Sequence, residues 1–114
     1  MKQKNTFVND TLFFAVMVFL VALFWQDNLL LTICLLLESA LFVKVYKKQE
    51  VLFFIFSGFF GIVLENIGGL LGIWIYTNPN FITVPVWIFF CWGFTFNFLK
   101  SVYEIIKRSS KKGL

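Results

Sequence analysis

Glu65 is the residue of this chain most able to do chemistry, because it is a carboxylate within an apolar run. A helix predicted to begin at Val51 places it roughly 21 Å along the helix axis. That depth lies within the hydrocarbon layer of a membrane, where an ionised carboxylate costs several kcal/mol unless it is paired or hydrated. Intramembrane carboxylates are therefore usually functional, and the alternative is a protonated Glu65 bonded to a neighbouring helix. Glu65 is the first candidate for ligand binding or proton transfer.

Small and polar residues recur around Glu65 in steps of three or four, which place them on one helix face. In order they are Gly58, Gly61, Glu65, Gly68, Gly72 and Tyr76. The four glycines predict close helix packing, and Gly68 and Gly72 form a small-xxx-small pair. The alternative is a groove that admits a flat or chain-like ligand to Glu65. Asn66 and Tyr76 join Glu65 as candidate ligand-binding or proton-linked residues.

The second candidate carboxylate is Glu38, about nine residues or roughly 14 Å inside the preceding predicted helix. Two carboxylates at neighbouring depths can share a proton or a cation. The sequence leaves open whether Glu38 and Glu65 face each other, or whether Glu38 pairs with a lysine or a polar group. Asn97 lies on a polar face of the last predicted helix with Gly93 and Ser101, and it is a candidate partner for a buried carboxylate.

The composition places these residues in a membrane protein. Of 114 residues, 60% are hydrophobic and only 14% are charged, and the mean hydropathy is +0.85. A soluble domain is nearer half apolar and a quarter charged. The chain is predicted to be one all-α polytopic domain, residues 1–114, with four transmembrane helices over about 7–25, 29–46, 51–76 and 84–106 and a basic tail at 107–114. Asn9 or Asp10 is predicted to cap the first helix, and Pro85 to lie in the first turn of the fourth.

The basic residues predict the orientation of the helices. All ten fall before the first helix, around the second turn or towards the C-terminus: Lys2, Lys4, Lys44, Lys47, Lys48, Lys100, Lys107, Arg108, Lys111 and Lys112. Cytoplasmic segments carry the excess of Lys and Arg, so both termini are predicted to be cytoplasmic in a multi-pass protein of the cell (inner or plasma) membrane. Topology and contact with anionic membrane lipids then explain the net charge of +4, and nucleic acid is not expected as a partner.

The sequence predicts no cofactor and no metal site. Histidine is absent, which removes the commonest metal ligand. Cys34 and Cys91 both lie in apolar runs, where they are expected to be small buried hydrophobic residues. Trp87 and Trp92 either line a cavity or serve as core or lipid-facing aromatics. No residue is assigned as catalytic.

Residues 65–93 carry a family resemblance. The order Glu65, Gly68, Gly72, Trp74 and Tyr76, followed by Pro85, resembles carotenoid-biosynthesis membrane proteins of the carotenoid hydratase and heterodimeric lycopene cyclase type. The resemblance implies a site for a polyene or isoprenoid lipid, with Glu65 as the acid. The cyclases carry paired acidic residues after this proline, whereas apolar residues follow it here. The segment also resembles small bacterial membrane proteins with four helices.

Three functions fit these patterns. In the first, the chain binds or moves a hydrophobic or cationic small molecule at Glu65, and Glu38 assists. Alternatively, it is an intramembrane enzyme in which Glu65 protonates an isoprenoid double bond. A third reading is an accessory subunit whose glycine face docks a partner membrane protein. The complete charge bias disfavours an antiparallel pair and leaves a parallel homo-oligomer open.

Overall fold

The computed structural model describes residues 6–111 and contains four helices in this range. They are α1 (Thr6–Phe24), α2 (Asn28–Val45), α3 (Lys48–Leu70) and α4 (Ile88–Lys111). The all-α four-helix prediction is confirmed. The most extensive packing is between α3 and α4, and α1 packs on α4 and α2. Lys2, Lys4 and Lys112 contribute to the predicted charge pattern but lie outside the described residues.

Three helices, α1 to α3, are long and apolar enough to cross a membrane, at Phe7–Phe24, Asn28–Val45 and Lys48–Leu70. Many large apolar side chains point outward from them, among them Leu37 and Phe56, each 67% exposed. A soluble protein seldom exposes so much apolar surface. This surface is consistent with a multi-pass membrane protein.

The fourth helix differs from the other three. It was predicted to begin near Val84, but it begins at Ile88, and Pro85 precedes it instead of occupying its first turn. Only twelve helical residues, about 18 Å, therefore come before the first charged side chain, Lys100. The second half of α4 carries all of the helix's charged residues, so α4 has the length of the three candidate spans but not their composition.

Side chains cap the N-termini of two helices, α2 and α3. Asp27 caps α2, where its carboxylate accepts a hydrogen bond from the Leu30 backbone N–H at 3.1 Å. At the start of α3 the Glu50 carboxylate accepts from the Lys47 backbone N–H at 3.3 Å. The predicted cap of α1 is not found, because the helix already begins at Thr6 and Asp10 lies inside it.

The end of α3 departs most from the sequence prediction, which extended it to Tyr76. The helix ends at Leu70. Gly72 adopts a φ of +79°, the Ile73 N–H donates to the Gly68 carbonyl at 2.9 Å, and the Gly72 N–H donates to Gly69 at 3.1 Å. These bonds form a Schellman motif, which needs a left-handed residue that glycine supplies without strain. Gly72 and Tyr76 therefore do not continue the helical face of Glu65.

The loop between α3 and α4, residues 71–87, folds back onto the helices. The Asn66 side-chain oxygen on α3 accepts from both the backbone N–H and the hydroxyl of Thr83, each at 2.8 Å. Beside Thr83, Ile82 has a φ of 59°, a strained conformation for a β-branched residue. The two side-chain bonds of Asn66 hold this turn in place.

The same loop is bonded to the turn between α1 and α2. Asn78 donates to the Asn28 side-chain oxygen at 3.1 Å, and the Trp87 indole N–H donates to the same oxygen at 2.9 Å. Asn78 also donates to the Gln26 carbonyl at 3.3 Å. The first and third connections therefore lie at the same end of the bundle, as an up-and-down arrangement requires.

An aromatic core fixes the relative position of the helices. Phe42, Phe54 and Phe94 come from α2, α3 and α4, and their ring centroids lie 4.8–5.8 Å apart. Phe13 of α1 stacks on Phe94 at 5.9 Å. Such ring pairs add to the apolar area that they bury. The core lies between the two ends of the bundle, each of which carries a polar cluster.

Candidate functional site

The Glu65 carboxylate accepts hydrogen bonds from two aromatic side chains. The Tyr76 hydroxyl donates to Oε1 at 2.7 Å, and the Trp92 indole N–H donates to Oε2 at 3.0 Å. The Trp74 indole N–H donates to the Glu65 backbone carbonyl at 3.0 Å. The donors come from the loop and from α4, so α3, the loop and α4 meet at one carboxylate. A hydrogen bond to each of its two oxygens fixes the rotamer of Glu65.

The glycines of α3 make room for these aromatic rings. A Cβ atom on Gly61 would overlap the indole of Trp92, and one on Gly68 would overlap the indole of Trp74. Gly58 is covered in the same way by Phe89. The predicted packing glycines therefore lie against aromatic side chains of their own chain. Gly72 does not share this role, because nothing lies within 4 Å of the position of its Cβ atom.

A cavity of about 280 Å³ adjoins the Glu65 carboxylate. Its lining residues come from α3 and α4: Glu65, Ile88, Cys91, Trp92, Thr95 and Phe96. The walls are apolar and aromatic apart from one carboxylate and one hydroxyl. Small-molecule sites have this character, with few polar groups in an apolar cleft. A carboxylate in a cavity with aromatic walls also suits a cation with an apolar body.

Tyr76 lies in the loop and donates to this site. Burial, followed by the hydrogen bond to Glu65 and the charge of that carboxylate, raises the pKa of the Tyr76 phenol well above its usual value. The hydroxyl therefore stays protonated throughout the physiological range. Tyr76 acts as a fixed hydrogen-bond donor to Glu65 and not as a base.

Glu38 approaches the same region from α2. Both of its carboxyl oxygens are buried and have no hydrogen-bond partner within the described part of the chain. Glu38 and Glu65 both interact electrostatically with the Cys91 thiol, and of the two carboxylates Glu65 lines the cavity. No hydrogen bond joins the two carboxylates among residues 6–111.

The two candidate asparagines lie elsewhere. Besides its bonds to Thr83, Asn66 donates to the Ile62 carbonyl at 3.2 Å, so its side chain secures the loop. Asn97 does bind a buried carboxylate, as its type and position predicted, but the carboxylate is that of Asp10. Neither amide forms a hydrogen bond with the Glu65 or Glu38 carboxylate among the described residues.

Asp10 forms a second polar cluster at the other end of the bundle. It is 1% exposed, and it accepts hydrogen bonds from the Tyr46 hydroxyl, the Ser101 hydroxyl and, at 2.8 Å, the Asn97 side-chain amide. From its position before the first apolar run, Asp10 was predicted only to cap α1. The available signal was the polar face of Asn97 and Ser101 on α4, four residues apart.

No protein-family model, curated protein or solved structure matches the chain. The resemblance of residues 65–93 to carotenoid-biosynthesis membrane proteins therefore stays a prediction.

Proposed function

We propose that this chain is a multi-pass membrane protein that binds a cation with an apolar body in the cavity beside Glu65. The observation that carries the proposal is the arrangement of the Glu65 carboxylate, which borders a cavity with otherwise apolar and aromatic walls. A carboxylate in such surroundings costs free energy that a positively charged ligand offsets. The indole of Trp92, which lines the same cavity, adds a cation–π contact.

The membrane topology proposed here has four crossings and both termini in the cytoplasm. All the lysines and the arginine lie away from the first and third connections, which are bonded to each other through Asn28 and Asn78. The end that carries these connections is then the outer one. Crossing by α4 requires Lys100 to extend along its helix towards the cytoplasmic surface, as long basic side chains do near helix ends.

Cysteine labelling tests this topology. In an Asn80→Cys variant, a membrane-impermeant maleimide is expected to label intact cells, because residue 80 lies in the outer loop. In a Lys48→Cys variant, labelling is expected only after lysis, because residue 48 begins α3 at the cytoplasmic end. The unsubstituted chain, with Cys34 and Cys91, gives the background. Labelling of both variants, or of Lys48→Cys alone, in intact cells contradicts the orientation.

Glu38 is the proposed proton-linked group of this site. A buried carboxyl without a hydrogen-bond partner is stable as the neutral acid, because a charge in apolar surroundings without compensation is far more costly. Arrival of a cation near Cys91 lowers the cost of the charged form, since the two charges attract. Binding at Glu65 is therefore expected to favour loss of a proton from Glu38, and a proton can exchange for the ligand.

Benzyltrimethylammonium is the probe that tests the site, with neopentylbenzene as its neutral isostere. The purified protein in a zwitterionic detergent is expected to bind the cation more tightly than the isostere. Glu65→Gln is expected to weaken cation binding by about tenfold or more, because a charged interaction contributes roughly 1.5–3 kcal/mol and 1.4 kcal/mol is a factor of ten. Binding of neopentylbenzene is expected to stay within about twofold, and titration calorimetry measures both.

Glu104→Gln is the matched control, because Glu104 is an exposed carboxylate on α4 away from the cavity. It is expected to bind the cation like the original chain. Equal affinity of Glu65→Gln and the original chain for benzyltrimethylammonium would show that the carboxylate does not recognise the ligand. Equal affinity for the cation and its isostere would show the same.

The docking and enzyme hypotheses have less support than ligand binding. Docking of a partner helix along the glycine face loses support, since Gly58, Gly61 and Gly68 are covered by aromatic side chains of the same chain. Chemistry on an isoprenoid lipid rests on the resemblance alone. A changed lipid profile in expressing cells, reversed by Glu65→Gln, would favour the enzyme over the binding protein.

A further inference from the structure

A groove of about 400 Å³ follows the contact between α3 and α4 on the outer surface of the bundle. Its apolar walls are formed by Phe53, Phe56 and Phe60 of α3 and by Phe96 and Leu99 of α4. The three α3 residues are three and four positions apart, so the groove follows one face of that helix for about 10 Å. Phe56 is 67% exposed and Leu99 is 48% exposed, so in a membrane these side chains face lipid. A long apolar groove of this volume suits a hydrocarbon chain.

A lysine lies at one end of this groove. Lys100 of α4 is one of the lining residues, and its Nζ atom lies 4.9 Å from the centroid of the Phe53 ring. Phe53 is five residues, about 7.5 Å, from the start of α3 at Lys48. The ammonium group therefore lies near the helix end that is cytoplasmic in the proposed topology, close to the lipid headgroups. Within residues 6–111 this ammonium group forms no salt bridge, so its charge is available to an anion.

Two further polar groups continue from Lys100 along the same face of α4. Tyr103 lines the groove and is 57% exposed, so its hydroxyl group can donate to a ligand. The Nζ atom of Lys107 lies 5.4 Å from the centroid of the Tyr103 ring. Glu104, the acidic residue of this half of α4, forms no salt bridge with either lysine within the described part of the chain. The mouth of the apolar groove therefore presents two ammonium groups and a phenol, a combination that binds phosphate.

We propose that this groove binds one anionic phospholipid of the cytoplasmic leaflet. One acyl chain lies along Phe56 and Phe60, and the phosphate group binds Lys100, with Tyr103 and Lys107 as further partners. Charge selects this occupant, because anionic lipids of the cytoplasmic leaflet attract basic segments, whereas the ammonium group of a zwitterionic headgroup is repelled by the two lysines. A second copy of the chain that docked through the same face would bring its own lysines to this point, which disfavours a dimer here.

The lipid site takes the membrane setting from the proposed function but not its ligand. Glu65 does not line the groove, although Phe96 borders both this groove and the cavity beside Glu65. Glu65→Gln is therefore expected to bind the lipid as tightly as the original chain does. Failure of cation binding at Glu65 and failure of lipid binding at Lys100 are separate results.

Native mass spectrometry of the delipidated full chain, released from a neutral detergent, tests the proposal. Dioleoyl phosphatidylglycerol is compared with dioleoyl phosphatidylcholine, which has the same acyl chains and a zwitterionic headgroup. The first phosphatidylglycerol molecule is expected to bind more tightly than the first phosphatidylcholine. Lys100→Gln is expected to weaken phosphatidylglycerol binding by roughly fivefold or more, the contribution of one lysine beside anionic lipid. Lys44→Gln is the matched control, an exposed lysine near the cytoplasmic end of α2 that does not line the groove, and is expected to stay within about twofold.

Leu99→Trp tests the acyl-chain half of the site and retains every charge. Its larger side chain occupies part of the groove, so it is expected to weaken phosphatidylglycerol binding severalfold. Ile106→Trp, at a position on α4 that is 59% exposed and does not line the groove, is its control and is expected to bind normally. This pair of variants decides the question should Lys100→Gln fail to fold.

Three results would overturn the proposal. Equal affinity of the original chain for the two lipids would show that the groove holds ordinary bilayer lipid. Equal losses in Lys100→Gln and Lys44→Gln would show diffuse attraction by the basic residues. Full competition by glycerophosphoglycerol, the headgroup without acyl chains, would show a site for a free phosphate ester in place of a lipid.

Discussion

An Asp10→Ala variant is expected to lose about 3 kcal/mol or more of unfolding free energy, because three buried donors lose their acceptor. The substitution removes the carboxylate to which Tyr46, Asn97 and Ser101 donate. Three buried hydrogen-bond donors are then left without an acceptor. Each unsatisfied buried donor costs roughly 1–3 kcal/mol, and these costs overlap when water enters the space left by the carboxylate. Unfolding in mixed micelles of increasing sodium dodecyl sulfate fraction, followed by circular dichroism, measures the loss.

Asp27→Ala is the matched control for this prediction. Asp27 is also an aspartate near the start of a helix, where its carboxylate caps α2 by accepting a hydrogen bond from the Leu30 backbone N–H. Unlike Asp10, it is exposed. Removal of such a cap costs about 1 kcal/mol. Losses of equal size in the two variants would show that the buried cluster contributes no more than an ordinary helix cap.

Gly61→Leu is expected to destabilise the packing of α3 on α4 by about 1–3 kcal/mol, the usual cost of forcing extra atoms into a packed contact. Even a Cβ atom at residue 61 would overlap the indole of Trp92. The ring must therefore move, and its bond to the Glu65 carboxylate must break. A lower melting temperature and a shifted tryptophan fluorescence spectrum are the expected observations.

Val63→Leu places the same side chain two residues further along α3, at a position that is 56% exposed. It is expected to change the melting temperature by no more than about 3 °C, since exposed substitutions are usually within 0.5 kcal/mol. Comparing the two variants separates the effect of a larger side chain on α3 from the effect of placing it in the contact with Trp92. A Gly61→Leu variant as stable as Val63→Leu would mean that Trp92 does not pack where the structure places it.

The sequence predicted the helices well and their ends less well. Apolar runs separated by polar turns define α1 and α2 almost to the residue. The end of α3 was missed because Leu71, Ile73 and Ile75 continue the apolar run that precedes them. The break depends on the left-handed Gly72, whose conformation no hydropathy pattern reports. The start of α4 was misplaced for a related reason, because the apolar residues before Ile88 belong to a folded loop.

The candidate site was predicted by residue type and missed in its geometry. Glu65 and Tyr76 were named as members of one helical face, yet Tyr76 reaches Glu65 from a loop that turns back. The bond that the Trp74 indole donates to the Glu65 carbonyl was not foreseen. Asp10 was missed because its partners Asn97 and Ser101 are 87 and 91 residues away. Local patterns carry no information on such distant pairs.

The two clusters also differ in the length of chain that must be made before each can form. The side-chain donors to the Glu65 carboxylate, Tyr76 and Trp92, follow it by 11 and 27 residues, so the second hairpin alone contains that carboxylate and both donors. Asp10 is made with the first helix and meets Ser101, which follows it by 91 residues, only after most of α4 has been synthesised. A nascent protein that stalls before α4 therefore carries an acidic side chain deprived of its amide and serine donors. The cluster around Asp10 is therefore complete only when α4 has joined the other three helices.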